Sequence, residues 1–168
     1  MLIRKATLKD LQRIQELNNE LFDLELANFD KNLIKDWPLS SEGRHYFENA
    51  IKEKFVIVAE KDDKIVGYLL GEESNIPYYN FKIAELCNMC IDSNYRKQGI
   101  GNALYKVFEK SFKEQGVTHF IVTASFKNES AKAFYKKMGF EEANSTFTKF
   151  FKEKIWNLYL HRTQLQCP

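Results

Sequence analysis

The hydrophobic and polar positions of this chain follow two periods, one typical of helices and one typical of strands. After a short apolar strand at 2–6, the residues Thr7 to Asp10 have the spacing of a capping box, with Asp in place of the usual Glu or Gln. A helix is expected to follow, because apolar residues then recur at helical spacing, at Leu11, Ile14, Leu17 and Leu21. From Asp23 to Ser41 the pattern weakens, and Trp37-Pro38 argues against a continuous helix there.

The rest of the pattern predicts strands and helices in alternation. A second helix is expected from about Ser41 to Glu53, then a hairpin with strands at 55–60 and 65–70, then a long strand from Ile83 to Ile91. A later helix has an apolar face formed by Ala103, Leu104, Val107, Phe108 and Phe112. It is followed by a strand at 120–123, a short helix at 129–138 and a last strand pair from Phe140 to about Phe151. This alternation predicts an α/β fold with a central mixed sheet and helices on both faces.

Length and composition narrow the class of protein. A chain of 168 residues fits one domain, and 44% hydrophobic with 29% charged residues argues against disorder. The net charge of +2 is small and the basic residues are dispersed, so no nucleic-acid partner is expected. The first residues lack the apolar core of a signal peptide, and no stretch approaches a membrane span. We therefore expect a cytoplasmic protein with no membrane partner.

Cysteines and histidines do not indicate a metal or a disulfide framework. The cysteine count is three, which is odd. Cys87 and Cys90 form a Cys-x-x-Cys on the long predicted strand, where residues three apart point to opposite faces, so we expect them neither to form a disulfide nor to share a metal. His45, His119 and His161 are too scattered to propose a metal site.

The turn from Tyr95 to Leu104 carries the strongest functional signal. Gly99 and Gly101 would let the backbone approach an anion closely, because neither has a Cβ. The first amides of the helix that follows have no intrahelical partners and lie in its positive field, and Arg96 and Lys97 add charge. The spacing fits neither a Walker loop nor a dinucleotide fingerprint. The turn is therefore predicted to bind phosphate in some other way.

Two blocks resemble one enzyme family. Arg-x-x-Gly-x-Gly, at 96–101, resembles the acyl-coenzyme A pyrophosphate loop of the GCN5-related N-acetyltransferases (GNAT). Residues 128–140 resemble the family's second signature, Asn-x-x-Ala-x-x-Phe-Tyr-x-x-x-Gly-Phe, at every named position. The resemblance covers roughly 1–150. It implies a central mixed, mostly antiparallel sheet with a V-shaped split between the fourth and fifth strands, a GNAT domain at 1–151 and a C-terminal tail at 152–168.

The resemblance also implies catalytic residues. The Tyr135 hydroxyl is expected beside the coenzyme sulfur, where it would protonate the departing thiolate; alternatively, Tyr135 only anchors its helix. Glu85 occupies the position of a catalytic glutamate in histone-type members, and strand parity places it on the face of Cys87, Met89 and Ile91 unless a bulge intervenes. The alternative is a solvated glutamate near a strand end.

The coenzyme site implied by the resemblance draws on three parts of the sequence. Backbone amides of the long strand are expected to bind the acetyl carbonyl and the pantetheine, and Asn128 is expected to contact the pantetheine, to cap its helix, or both. The expected coenzyme-binding residues are Met89, Cys90, Ile91, Arg96, Lys97, Gln98, Gly99, Ile100, Gly101, Asn102, Ala103, Asn128, Phe134 and Tyr135. No metal is implied.

These expectations point to transfer of an acetyl group from acetyl-CoA to a primary amine of a small molecule or protein, by direct attack in a ternary complex. The alternative is a non-catalytic module that binds or senses acyl-CoA. Five acidic residues after the first helix would suit a cationic acceptor or form a solvated surface: Glu20, Asp23, Glu25, Asp30 and Asp36. Large apolar residues after 151, such as Trp156, pack either on their own domain or in a homodimer.

Overall fold

The computed structural model of the chain describes residues 1–147 and residue 149, and its five strands form one sheet. The strands lie in the order of the chain: β1 Leu2–Lys5, β2 Phe55–Lys61, β3 Lys64–Ser74, β4 Ile83–Ile91 and β5 His119–Val122. Neighbours are antiparallel from β1 to β4, whereas β5 is parallel to β4. The described α-helices are α1 Leu11–Asn28, α2 Ser41–Glu53, α3 Ile100–Glu114 and α4 Glu129–Lys137, and short 3-10 turns lie at Leu8–Asp10, Trp37–Leu39 and Ser93–Tyr95. The predicted mixed, mostly antiparallel sheet is confirmed.

Helices cover both faces of the sheet. On one face, which we call the α1–α2 face, Ile14 of α1 and Phe47 of α2 pack in one buried cluster with Tyr68 of β3. On the other, the α3 face, Leu104 and Phe108 pack in a second cluster with apolar residues of β2, β3 and β4. Because alternate residues of a strand point to opposite faces, the apolar runs of β2 and β3 supply both clusters.

The start of α1 follows the sequence prediction, but its end does not. Thr7 and Asp10 form the predicted capping box, and the Arg4 guanidinium lies 2.8 Å from the Asp10 carboxylate. The helix then continues to Asn28, five residues beyond the point where the apolar periodicity weakens. Its later turns include Glu25, which lies beside Asn128 at the start of α4. The last turns of α1 therefore make a polar contact with another element, through Glu25 and Asn128. The spacing of apolar residues could not reveal this contact.

Two further predictions need correction. Val107 is 39% exposed and lies off the buried face of α3, where Tyr105 is buried instead. The predicted last strand pair is wrong over 140–147, where the structure assigns no strand. There Phe140 packs against the rings of Tyr105 and Tyr135, with centroids 5.6 and 5.7 Å apart. Two predictions lie partly or wholly outside the described residues. They are the end of that strand pair, at residues 148 and 150–151, and the tail at 152–168 with Trp156.

A β-bulge in β4 decides which side chains share a face. Leu70 of β3 is paired with Asn88 and Gly71 with Leu86, so Cys87 is the extra residue. Cys90 is buried in the cluster of the α1–α2 face and Cys87 packs against the same cluster. The prediction that Cys87 and Cys90 point to opposite faces is therefore wrong, because a bulge shifts strand parity by one residue. Both thiols are free.

The sheet opens between β4 and β5. Residues Ile83–Leu86 of β4 are paired with His119–Val122 of β5, and the pairing stops there. Among the described strands, none pairs with the other half of β4 on this side, from Cys87 to Ile91. This is the V-shaped split expected between the fourth and fifth strands, and it leaves backbone groups of β4 available to a ligand.

Candidate active site

The phosphate turn is formed where β4 leads into α3. Lys97 and Gly99 both adopt left-handed backbone conformations, with φ of 60° and 83°. A Cβ on Gly99 would meet no atom within 4 Å, so backbone conformation and not crowding favours glycine there. Ala103 is the first residue of α3 whose amide donates to a carbonyl of the turn, at 3.0 Å to Gly99. The amides of Ile100, Gly101 and Asn102 precede it in the first turn and are available to an anion.

Basic side chains surround this turn. The Arg96 Nε donates to the Ile91 carbonyl at 3.0 Å, which ties the turn to the end of β4, and Lys97 is exposed. Lys61, at the end of β2, donates to the Gln98 side chain at 3.1 Å and lies 5.6 Å from the Tyr95 ring centroid. Sequence reasoning missed Lys61, because only the β2–β3 hairpin brings it here. The turn therefore carries more positive charge than its own motif shows.

Gly101 is the point where three elements of the site meet. A Cβ on Gly101 would lie 3.4 Å from Phe134 Cε2 of α4 and 3.9 Å from Met89 Cε of β4. The absence of this Cβ lets α3, α4 and the open half of β4 approach one another. Of the residues predicted at the coenzyme, Met89, Gly101 and Phe134 are thus brought together, whereas the Cys90 side chain is buried on the α1–α2 face.

Helix α4 places Asn128 and Tyr135 beside the same opening. Asn128 caps the helix, because its Oδ1 accepts from the Ala131 amide at 3.0 Å. Tyr135 packs against Phe134 and Phe140, with ring centroids 5.4 and 5.7 Å apart. Burial, and to a lesser degree the negative charge of Glu25, raises the pKa of Tyr135 to about 12. The phenol is therefore protonated at neutral pH and can act as a donor.

Glu85 approaches the split from the opposite face of the sheet. The bulge at Cys87 places Glu85 with Cys87 on the α1–α2 face, whereas Met89 and Ile91 pack on the α3 face. The shared face was predicted only if no bulge intervened; because one does, Glu85 shares its face with Cys87 and not with Met89 or Ile91. Glu85 is half-buried, and Tyr46 of α2 lies near enough for the two to interact electrostatically. Tyr135, in contrast, packs with the α3-face cluster.

A polar group that sequence reasoning missed lies next to Glu85. Glu72 of β3 is paired in register with Glu85, and the Lys54 Nζ lies 2.7 Å from its Oε2. The Cys87 thiol donates to Glu72 Oε1 at 3.5 Å. Burial, followed by the negative charge of Glu72, raises the pKa of Cys87 to about 12. No local motif indicates Glu72 or Lys54, because strand register and the end of α2 bring them together.

Asn88 belongs to a buried hydrogen-bond network. The fully buried Tyr68 hydroxyl donates to Asn88 Oδ1, and Asn18 Nδ2 donates to the Tyr68 hydroxyl at 2.8 Å and to Asn88 Oδ1 at 3.2 Å. Asn18 is 1% exposed, and its Oδ1 has no partner among the described residues. This network holds β4 against α1 at the position that follows the bulge.

The five acidic residues after the predicted first helix do not form one cluster. Glu20 lies 3.9 Å from Arg13, and Asp30 accepts from the Asn32 amide at 2.9 Å. Glu25 lies beside Asn128 and Tyr135, and Glu20 accepts from the Ser93 amide at 3.4 Å, just after β4. Burial raises the pKa of Glu25, and hydrogen bonding to Asn128 offsets part of the rise.

Neither a metal-binding cluster nor a membrane-spanning helix is present among the described residues. Within 1–147 and 149, no group of three or more His, Cys, Asp or Glu side chains is arranged to hold a metal ion. None of the helices in that part of the chain is long and apolar enough to cross a bilayer.

Comparison with known proteins gives consistent matches. The family profile described as "Acetyltransferase (GNAT) domain" matches residues 52–142, more than half of the chain. Human N-acetyltransferase 8 is 31% identical over 90 residues, which cover 54% of this chain and 40% of that protein. An uncharacterized N-acetyltransferase of Chlorobaculum tepidum, CT2212, is 30% identical over 123 residues, covering 72% of this chain and 67% of that protein.

The fold has close counterparts among solved structures. A tetramutant of the BH1408 protein from Bacillus halodurans superposes with a TM-score of 0.76 at 20% identity, covering 90% of this chain and all of that one. At this identity the likeness concerns the fold. The match to human N-acetyltransferase 8 spans less than half of that relative's length. The family profile and the relative from Chlorobaculum tepidum, together with the fold, show that the chain belongs to the GCN5-related N-acetyltransferase (GNAT) family.

Proposed function

We propose that this protein is an acetyl-CoA-dependent N-acetyltransferase that transfers the acetyl group directly to a primary amine of a small molecule or protein. The observation that carries the proposal is the convergence at Gly101. There a Cβ on Gly101, which follows the turn, would lie within van der Waals distance of Met89 in the open half of β4 and of Phe134 in the helix that bears Tyr135. Glu85 approaches from the opposite face of the sheet.

The residues present fit coenzyme A. The amides of Ile100, Gly101 and Asn102 form the positive N-terminal end of a 15-residue helix. This end suits a pyrophosphate. Arg96, Lys97 and Lys61 lie around the same turn. The missing Cβ of Gly101 leaves room beside Phe134 for the pantetheine to pass. When bound, acetyl-CoA supplies an acetyl thioester, whose carbonyl carbon accepts the amine.

Glu85 is proposed to take the proton of the incoming amine. An alkyl amine has a pKa near 10.4, so at pH 7 roughly one molecule in 2,000 is neutral. Glu85 can attract the ammonium form and accept its proton, directly or through one water. Those amides of β4 within 89–91 that point away from β3, toward the split, are proposed to donate to the oxyanion that forms during attack.

Tyr135 is proposed to protonate the departing thiolate. Its hydroxyl is protonated at neutral pH, because burial and the charge of Glu25 raise its pKa. Acid and base would then act from opposite faces of the split.

Cys87 is not proposed as a nucleophile. With a pKa of about 12, its thiolate fraction at pH 7 is on the order of one in 100,000. Its proton is directed at Glu72, and the negative charge of that residue further opposes ionisation. Direct transfer in a ternary complex therefore fits the site better than a covalent acetyl-enzyme.

Calorimetric titration with acetyl-CoA tests the coenzyme half of the proposal. The matched variants are Gly99→Asp and Gly99→Asn, which are similar in size and share the left-handed backbone but differ in charge. We expect wild type to bind, Gly99→Asn to retain most of the affinity and Gly99→Asp to lose at least tenfold more, because its carboxylate faces the pyrophosphate. Equal affinity of the two variants would contradict a phosphate site at this turn.

An amine screen separates enzyme from sensor. Thiol release from acetyl-CoA is followed with alkyl amines, aminoglycosides and peptides, for wild type and Tyr135→Phe. Turnover by wild type that falls in Tyr135→Phe supports the enzyme. Tight acetyl-CoA binding without turnover for any amine would favour the non-catalytic acyl-CoA module.

A further inference from the structure

Two carboxylates from neighbouring strands oppose each other on the α1–α2 face. Glu72 of β3 and Glu85 of β4 are register partners, and directly opposed residues of an antiparallel pair point to the same side, with Cβ atoms about 4.5–5.5 Å apart. Like charges at such positions repel each other. A cation is therefore favoured between or beside them.

The protein supplies that cation to only one of the pair. Lys54 follows the last residue of α2, and its Nζ lies 2.7 Å from Glu72 Oε2. The other oxygen of Glu72 accepts from the Cys87 thiol. The hydrogen bond to Glu72 raises the pKa of Lys54, so the ammonium stays charged at neutral pH.

Glu85 has no such partner. Its carboxylate forms no hydrogen bond or ion pair with any residue that the structure describes. Among the described residues, two carboxylates and one ammonium leave one negative charge on this face without a charged partner, and it lies on Glu85. One incoming ammonium is enough to balance it.

We propose that Lys54 sets the charge preference of the acceptor site: by occupying Glu72, it makes the site favour acceptors whose single ammonium group is the reacting nitrogen over short diamines. This inference rests on the function proposed above and concerns its acceptor. A monoamine places its ammonium on Glu85. The second ammonium of a diamine meets a Glu72 that is already paired, and Lys54 repels it. Without Lys54, Glu72 becomes available to that second charge.

The chain provides a matched control one position along β3. Glu73 also pairs with a lysine, Lys82, whose Nζ lies 3.6 Å from its Oε1. Glu73 is paired with Ala84, which is buried in the α3-face cluster, so this ion pair lies away from Glu85. Lys54→Met and Lys82→Met change the net charge of the protein equally, and only the first exposes a carboxylate beside Glu85.

The kinetic test compares butylamine with 1,4-diaminobutane as acceptors. In Lys54→Met we expect the ratio of kcat/KM for the diamine to that for the monoamine to rise roughly three- to fivefold, the range of one partly exposed ion pair. Adding Glu72→Gln to Lys54→Met should return the ratio to the wild-type value, and Lys82→Met should leave it unchanged. A ratio in Lys54→Met equal to that in Lys82→Met would overturn the inference.

A binding test separates this inference from the proposed function. Calorimetry of 1,4-diaminobutane with wild type and Lys54→Met, both in the presence of coenzyme A, needs no turnover. Tighter diamine binding by Lys54→Met supports the role of Lys54 even if neither amine is acetylated, a result that would count against the proposed function alone. Equal affinities of the two proteins overturn the role of Lys54.

Discussion

Gly101 of α3 and Phe134 of α4 are packed so closely that a Cβ on the glycine would lie 3.4 Å from Phe134 Cε2. A methyl group would come into van der Waals contact with the ring, whereas a larger side chain would displace the ring. The contact sets the width of the space between α3 and α4, where the coenzyme is proposed to pass.

Substitution at Gly101 is expected to separate folding from coenzyme binding. Gly101→Ala should fold, because alanine is favoured over glycine in a helix, yet it should weaken acetyl-CoA binding roughly tenfold. Titration calorimetry measures the affinity and thermal unfolding the stability. Val107→Ala, at an exposed position of the same helix, is the control. Unchanged coenzyme affinity in Gly101→Ala would show that this space is not used.

Tyr135→Phe is expected to lower kcat by about 10²-fold or more, the usual contribution of a general acid. Affinity for acetyl-CoA should change little, because the ring contacts with Phe134 and Phe140 remain. Steady-state kinetics and calorimetry on the same preparation measure both quantities. A normal kcat in Tyr135→Phe would show that Tyr135 only anchors α4 and is not the general acid.

Glu85→Gln should reduce kcat/KM for an alkyl amine by about 10²-fold at pH 7. The deficit should narrow as the pH rises toward 10, since the amine then loses its proton without help. A pH profile of wild type, Glu85→Gln and the control Glu73→Gln measures this. A deficit that is constant over the pH range would mean that Glu85 binds the acceptor without acting as the base.

Cys87→Ala should retain most of the activity. Intact-mass measurement of wild type incubated with acetyl-CoA and no amine should show no acetyl adduct, because the pKa of the Cys87 thiol is about 12. An adduct of one acetyl group that disappears in Cys87→Ala would replace direct transfer with a covalent intermediate.

Asp10→Asn should destabilise the fold by about 2 kcal/mol at pH 7, because the pKa of Asp10 is lowered from 3.8 to about 2, chiefly by the Arg4 guanidinium. A depressed carboxyl pKa stabilises the folded state above the unfolded pKa. The contribution is lost as the pH falls from about 4 toward 2. Urea unfolding of both proteins at pH 7 and pH 3 measures it. An equal gap at both values would exclude titration of Asp10 as the cause.

Much of the fold was accessible from local pattern. The helix predicted from Ser41 to Glu53 has those bounds, since the Ser40 hydroxyl accepts from the Gly43 amide and Phe47 and Ala50 mark the buried side. The strand from Ile83 to Ile91 was likewise bounded by its apolar residues. Caps, periodicity and turn residues act over a few positions, so the sequence records them directly.

The bulge at Cys87 was not accessible in this way. It depends on how β4 pairs with β3, and it decides that Glu85 and Met89 lie on opposite faces. The same is true of Lys61 beside Gln98 and of Lys54 on Glu72, since each joins residues from different elements.

The sequence by itself therefore determined most of the elements, the family and the residue types of the basic turn at 95–104, because each of these is a short-range pattern. The tertiary structure decided which carboxylate is paired, which is free, and from which side each functional group meets the split. Those relationships depend on strand register and helix packing, in which residues far apart in the chain come within a few ångströms of one another.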